Sequence, residues 1–229
     1  LGPDTTCLFF QGGAGDINPL VEGVRQHLAS GETVRAIGEV STYYGAADVP
    51  NQYNIGDRGG GTFAEVAELG SAYAQAVAYV AGTVATGSLQ SPLWSEQVTV
   101  EASADPGEHP HRPPAPLDRE QLSALDDRHI PAEVMLLGIG ALTLVGQPGE
   151  VFAETAVNLR VRLRNMGFEA PMLVSYANGF LLYLPEPSAF EEGGYEPNWA
   201  ATLNISRHFQ ERVWDAIEPV LHARLRENA

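Results

Sequence analysis

The chain has 229 residues, and its 13 basic side chains, all arginine, stand against 29 acidic ones for a formal net charge of −16. That balance argues against nucleic-acid backbones and anionic membrane surfaces as partners, because both would be repelled at long range. At 44% hydrophobic the chain is globular and long enough for a sizeable core; its one cysteine, Cys7, excludes a disulfide framework or a multi-cysteine zinc site, and no apolar run approaches the roughly 20 residues of a transmembrane segment.

In chain order, Cys7-Leu-Phe-Phe10 is a short apolar run closed by Gly12-Gly13 and reads as a buried strand. A chain that opens so close to a core strand, with no signal-peptide pattern, reads as a piece of a longer protein. Gln11 to Leu20 is a glycine-rich turn; 21–29 reads as a short helix, 33–44 as a strand region and 45–61 as a long loop. Thr62-Phe-Ala-Glu65 has the form of a capping box. Behind it Phe63, Val66, Gly70, Tyr73, Val77, Val80 and Val84 recur at helical steps, predicting an amphipathic helix to about Thr83.

A strand is expected over 92–102, then a proline-rich connector over 104–116 and a brief helix in PLDREQLSALDDRH. Val134–Leu137 and Leu142–Val145 read as a hairpin joined through Gly138-Ile-Gly140. Pro148-Gly149 ends the second of these, and Glu150 is expected to open a helix with Phe152, Ala156, Leu159, Leu163 and Met166 on one face and Gly167 as its stop. Pro171–Tyr176 reads as another buried strand, 178–197 as a second long loop, and 206–226 as a terminal helix interrupted near Pro219. These elements make the class α/β: a mixed β-sheet flanked by helices, within one domain over residues 1–229.

Four places could carry chemistry. Asp16 and Asn18 follow a strand on a glycine-rich turn, where polar groups can point over the end of a sheet, or where they simply bond their own backbone. Glu150 projects from the end of the sheet, as a ligand or acid/base group would, or serves a helix dipole. Tyr176, Tyr183 and Tyr195 gather between the last strand and the last helix, as packing residues or as walls of a pocket. His109 and His111 lie in the connector and read as solvated surface. No Walker loop, GxGxxG, GxSxG or HExxH is present, so spacing alone names no activity.

Taken together, QGGAGDINP, GQPGEVFAE and SYANGFLLYLPEPSAFEEGGYE resemble the neutral (non-lysosomal) ceramidase family, and most closely its bacterial ceramidase-like members. The similarity touches nearly the whole chain apart from about 87–128. It implies that the chain is the C-terminal portion of a larger catalytic domain, without the family's C-terminal immunoglobulin-like domain. It further implies one zinc ion, with Glu150 and Tyr183 as metal ligands and two histidine ligands upstream of this chain. Tyr195 would hold the scissile amide or its oxyanion, with Asp16 beside it at the substrate. Asn18 stands where the family has an essential serine; an amide can donate to an oxyanion but cannot be a nucleophile. The resemblance therefore implies hydrolysis of an N-acyl linkage in a lipid, such as a sphingolipid, or in a small amide. Hydrolysis of a different amide or lipid, or a non-catalytic binding module, stand as the alternatives. The upstream half of the same catalytic domain is the expected protein partner.

Overall fold

The structure, a computed structural model, describes residues 6–17, 63–84, 92–109, 120–121, 124 and 128–227. The expected helix at 21–29, strand at 33–44, loop at 45–61, Asn18, His111 and the capping-box side chains of Thr62 and Glu65 lie outside them. The described residues fall into two compact units, one with 6–9 and the helix after them, the other with 10–17 and everything from 92 onward.

In the first unit, α1 (Phe63–Thr83) runs where the apolar periodicity placed it. Ser71 and Thr83 return their hydroxyls to the carbonyls of Ala67 and Val80, and Phe9 meets Tyr73 edge-on at 6.2 Å. Cys7–Phe10 is not a buried strand. It is exposed and joins no strand ladder among the described residues. Apolarity alone cannot make a strand where no neighbour accepts a row of hydrogen bonds.

The second unit is α/β. Its sheet runs β1 (Leu93–Glu101), β2 (Pro131–Ile139), β3 (Leu142–Gly146), β5 (Ala170–Val174) in spatial order. The first two pairings are antiparallel and β3–β5 is parallel, the mixed sheet expected from a hairpin followed by a crossover. The hairpin turns later than expected: β2 continues through Gly138, and Gly140, at φ 59°, makes the turn. Gly138 is needed because the Trp94 indole lies directly over it, where a Cβ would stand. The guanidinium of Arg224 covers that same ring at 5.6 Å and pairs with Glu96.

One sheet face supplies Val100, Ala132, Val134, Leu136, Val145 and Leu173 to the core. Two helices meet it, α2 (Ala153–Met166) through Leu159 and Leu163, and α5 (Phe209–Glu227) through Phe209, Val213, Ile217 and Leu221. Their four-residue spacing keeps them on one stripe of each helix, as a core-facing helix requires. Gly167 ends α2 at φ 112° with its N–H on the Arg164 carbonyl. Pro219 does not interrupt α5, which passes through it; proline removes one N–H, and at an exposed position the freed carbonyl finds water.

The described part of the connector, 104–109, docks rather than floats. Glu101 accepts from the Ile130 N–H at 2.7 Å and from both the N–H and hydroxyl of Ser103. Arg212 donates to the carbonyls of Glu101 and Ser103 and to Asp105. His109, expected on solvated surface, stacks on Phe190 at 5.4 Å with its Nε2 2.8 Å from the Ile205 carbonyl.

Candidate functional site

Strands β3 and β5 are parallel, so their C-terminal ends emerge together, the usual place for a site in an α/β sheet. From β3 the chain turns through Gln147-Pro-Gly149. From β5 it loops through 175–182, where Tyr176, Asn178 and Leu182 take left-handed φ values of 59°, 62° and 65°. The two segments are latched by backbone bonds: Ala177 N–H to Gln147 O at 2.9 Å, Tyr176 N–H to Gly149 O at 3.1 Å, and Leu181 N–H to Pro148 O at 2.7 Å. Glu150 N–H then donates to Leu182 O at 2.6 Å.

Beyond the latch lies a second, two-stranded parallel sheet, β4 (Glu150–Val151) with β6 (Tyr183–Leu184). Glu150 is therefore in a strand, and the helix begins only at Ala153. The reading of Glu150 as a helix-dipole residue fails with that shift, since the acid of the first turn is Glu154. Glu150 and Tyr183 are register partners, so their side chains leave the same face of the ribbon from neighbouring backbones about 4.8 Å apart. Val151 and Leu184, the next pair, are fully buried beneath.

Residues 178–197, expected as a loop, also hold α3 (Pro187–Glu192) and the start of α4 (Tyr195–Thr202). Tyr195 is the first residue of α4, and its ring meets that of Tyr183 edge-on at 5.9 Å. The glycine-rich turn packs on the other flank. Gly15 N–H donates to Val151 O at 2.8 Å, and Asp16 Oδ1 accepts the Ala153 N–H at 2.8 Å, capping α2 from a distant segment. A side chain at Gly15 would strike the backbone of Glu150, and one at Gly13 would meet Ala156 Cβ at 2.7 Å. Glu150, Tyr183 and Tyr195 thus come together, and the Asp16 carboxylate is spent on the Ala153 N–H; Asn18 lies outside the described residues.

Electrostatically this is a cluster of acidic oxygens. Burial pushes the Glu150 carboxyl above its ordinary value, partly offset by a hydrogen bond donated by the Tyr176 hydroxyl. Burial raises the Tyr183 phenol, and the negative charge of Glu150 raises it further. Glu196 is raised by burial, with Asp16 and Glu150 adding repulsion against the pull of its own backbone N–H. Glu150 and Tyr183 are half-buried, held side by side, and each is driven toward its neutral form. Among the described residues no group of three or more His, Cys, Asp and Glu side chains is arranged to hold a metal ion.

No protein-family model and no curated protein matches the chain. Two solved structures are similar to about half of it. A ceramidase solved in complex with C2 shares 15% identity over 53% of this chain and 28% of its own, at a TM-score of 0.37. The neutral ceramidase from Pseudomonas aeruginosa shares 14% identity over 54% of this chain and 29% of its own, at a TM-score of 0.33. The matched region spans less than a third of either solved chain.

Two participants had no assigned role in the sequence. Tyr176 stood out only as one of three clustered tyrosines, and it is the hydrogen-bond donor to Glu150. Glu196 sits directly after Tyr195 within GGYE, and a helix start there, which the glycines foreshadow, would have flagged its carboxylate. Among the described residues no helix is long and apolar enough to cross a membrane.

Proposed function

We propose that this chain is part of a zinc-dependent hydrolase of ceramidase type that cleaves an N-acyl linkage. The observation that carries the reading is the Glu150–Tyr183 register: two residues 33 positions apart, singled out by different motifs, share one face of a two-residue ribbon. Glu150 and Tyr183 would be two of the zinc ligands, with two histidines from the upstream half of the catalytic domain completing the shell. When bound, zinc supplies polarisation of the amide carbonyl and acidification of a water molecule. The chain's own residues orient the reaction. Tyr176 holds the Glu150 carboxylate by a hydrogen bond, and the Tyr195 ring steadies Tyr183 and directs a phenolic hydroxyl toward the substrate carbonyl. Asp16 fixes the turn that carries Asn18, and Asn18 donates an amide N–H where the family has a hydroxyl nucleophile.

That same substitution favours a second substrate reading within the hydrolase class, an amide or lipid other than ceramide, because the serine chemistry of the family is missing. The experiment is metal analysis of the intact protein, upstream half included, by mass spectrometry, together with hydrolysis of an N-acyl sphingoid base and of simple N-acyl amides. The parent is expected to hold one zinc, and Glu150→Ala and Tyr183→Phe to lose most of it. Zinc retained near stoichiometry in Glu150→Ala would remove that residue from the shell. A zinc-loaded parent inert toward every N-acyl substrate would leave a binding module.

A further inference from the structure

Helix α2 turns one face to the core through Leu159 and Leu163, which are 6% and 0% exposed. On the opposite face stand Val157 and Val161, 55% and 52% exposed and one turn apart. At about 100° per residue, the two valines lie about 20° to either side of the direction opposite Leu159, and Glu154 and Arg164 about 40° to either side. Both charged residues are exposed. Neither is in an ion pair among the described residues, whereas Arg212 pairs with Asp105 and Arg224 with Glu96 and Glu227.

The outward stripe, Glu154, Val157, Val161, Arg164, is symmetric about Leu159 in position and opposite in charge at its two ends. That pattern selects its partner. An acidic surface would pair with Arg164 but meet Glu154, and a basic one would do the reverse. An anionic bilayer would be repelled by Glu154 and by the net charge of −16. A second α2 laid antiparallel on the first satisfies every position: Val157 meets the partner's Val161, and Glu154 meets the partner's Arg164. Each of these contacts then occurs twice, which is the isologous form that a two-fold dimer requires. The exposed valines leave water together, and the ion pair at each end fixes the register.

We propose that α2 is the contact helix of a two-fold homodimer, joined through Glu154, Val157, Val161 and Arg164. The proposal does not rest on the hydrolytic reading of Glu150 and Tyr183. One 14-residue helix, about 21 Å long, offers less than the roughly 800 Å² per partner of a standard interface. The dimer is therefore weak and reversible, with a dissociation constant of about 10–100 µM. The test is sedimentation velocity on the intact protein across about 1–500 µM, a range that brackets that constant. The parent is expected to pass from monomer to dimer. Glu154→Arg and Arg164→Glu each place like charges at both ends of the contact, and each should weaken the dimer at least about tenfold. Mixed in equal amounts, the two variants should associate again, because each end then joins an acid to a base. Val157→Ser leaves the charges in place and should also weaken the dimer, which keeps the test decisive if a charge reversal does not fold. The proposal is overturned if the parent stays monomeric throughout the range, if its association ignores all three substitutions, or if the mixture associates no better than either charge variant alone.

Discussion

The pairing of Glu150 with Tyr183 rests on Gly149, and Gly149→Ala measures how firmly. A Cβ there would lie 2.6 Å from Leu182 O and 2.8 and 2.9 Å from Leu184 Cδ1 and Cγ, whereas ordinary contact begins near 3.4 Å. Leu184 is fully buried and cannot swing aside. Leu182 O is backbone and accepts the Glu150 N–H at 2.6 Å. Relief must therefore come from moving β6 away from β4 by about 0.8 Å, an overpacking strain of roughly 1–3 kcal/mol. The same movement stretches the Glu150–Leu182 hydrogen bond to the limit of useful geometry, a further loss of about 0.5–1.5 kcal/mol. The expected total is about 2–4 kcal/mol, a large share of the roughly 5–15 kcal/mol that stabilises a typical domain. Urea unfolding followed by tryptophan fluorescence reads it. Gly12→Ala is the control, since nothing lies within 4 Å of a Cβ at that position. A Gly149→Ala protein within about 0.5 kcal/mol of the parent, like an ordinary surface change, would show that the two strands are not held in contact as described.

Three further outcomes are expected. Asp16→Ala should cost about 1 kcal/mol in urea unfolding by uncapping α2, while Asp16→Asn, which can still accept the Ala153 N–H, should cost much less; equal losses would mean that the cap is not what Asp16 contributes. Burial alone would raise the Glu101 carboxyl, but the hydrogen bonds from Ser103, Ile130 and His129 outweigh it and hold it down to about 2. A depressed carboxyl contributes stability present above its unfolded value of 4.5 and lost as pH falls toward about 2, so the stability advantage of the parent over Glu101→Gln should shrink across that window and stay flat above it. Pro219→Ala, at an exposed position inside α5, should raise stability by about 1–3 kcal/mol, by restoring the N–H and a better helix former; no gain would mean that α5 accommodates the proline without cost.

Periodicity made the long elements legible. The apolar steps of α1 and α2, the Gly167 stop and the alternation of β1 are local signals, and the structure has each of them. What the sequence hid is what no window of residues can carry. A two-residue strand such as Glu150–Val151 has no period, so Pro-Gly-Glu before an amphipathic run reads as a helix start. The short helices α3 and α4 open on Pro187 and after Gly194, residues that equally mark loops. Cys7–Phe10 had the composition of a core strand but pairs with no strand among the described residues, which composition does not report. Glu150, Tyr183 and Tyr195 were singled out through the resemblance to ceramidases; their gathering at one place depends on backbone bonds among residues far apart in the chain.

A two-residue parallel pairing cannot choose its own register, yet here the register decides everything. A slip by one residue would put Leu182 or Leu184 opposite Glu150 and turn the Tyr183 hydroxyl to the other face. The choice is made upstream of the strand. Tyr176, Ala177 and Leu181 donate to the Gln147–Gly149 turn, which fixes where the loop must end. Leu182 then accepts a left-handed backbone at φ 65°, a cost of the order of 1 kcal/mol for a residue with a branched side chain. That cost is sustained because the alternative would expel Leu184 from the core. The same logic explains the glycines: Gly149 lets β6 approach on one side of β4, and Gly15 lets the Asp16 turn approach on the other. Glu150 is thus held between two close backbone approaches, with Tyr176 at its carboxylate. Burial and the Glu150 charge both keep the Tyr183 phenol in its protonated form, so the register sets a neutral hydroxyl beside the carboxylate.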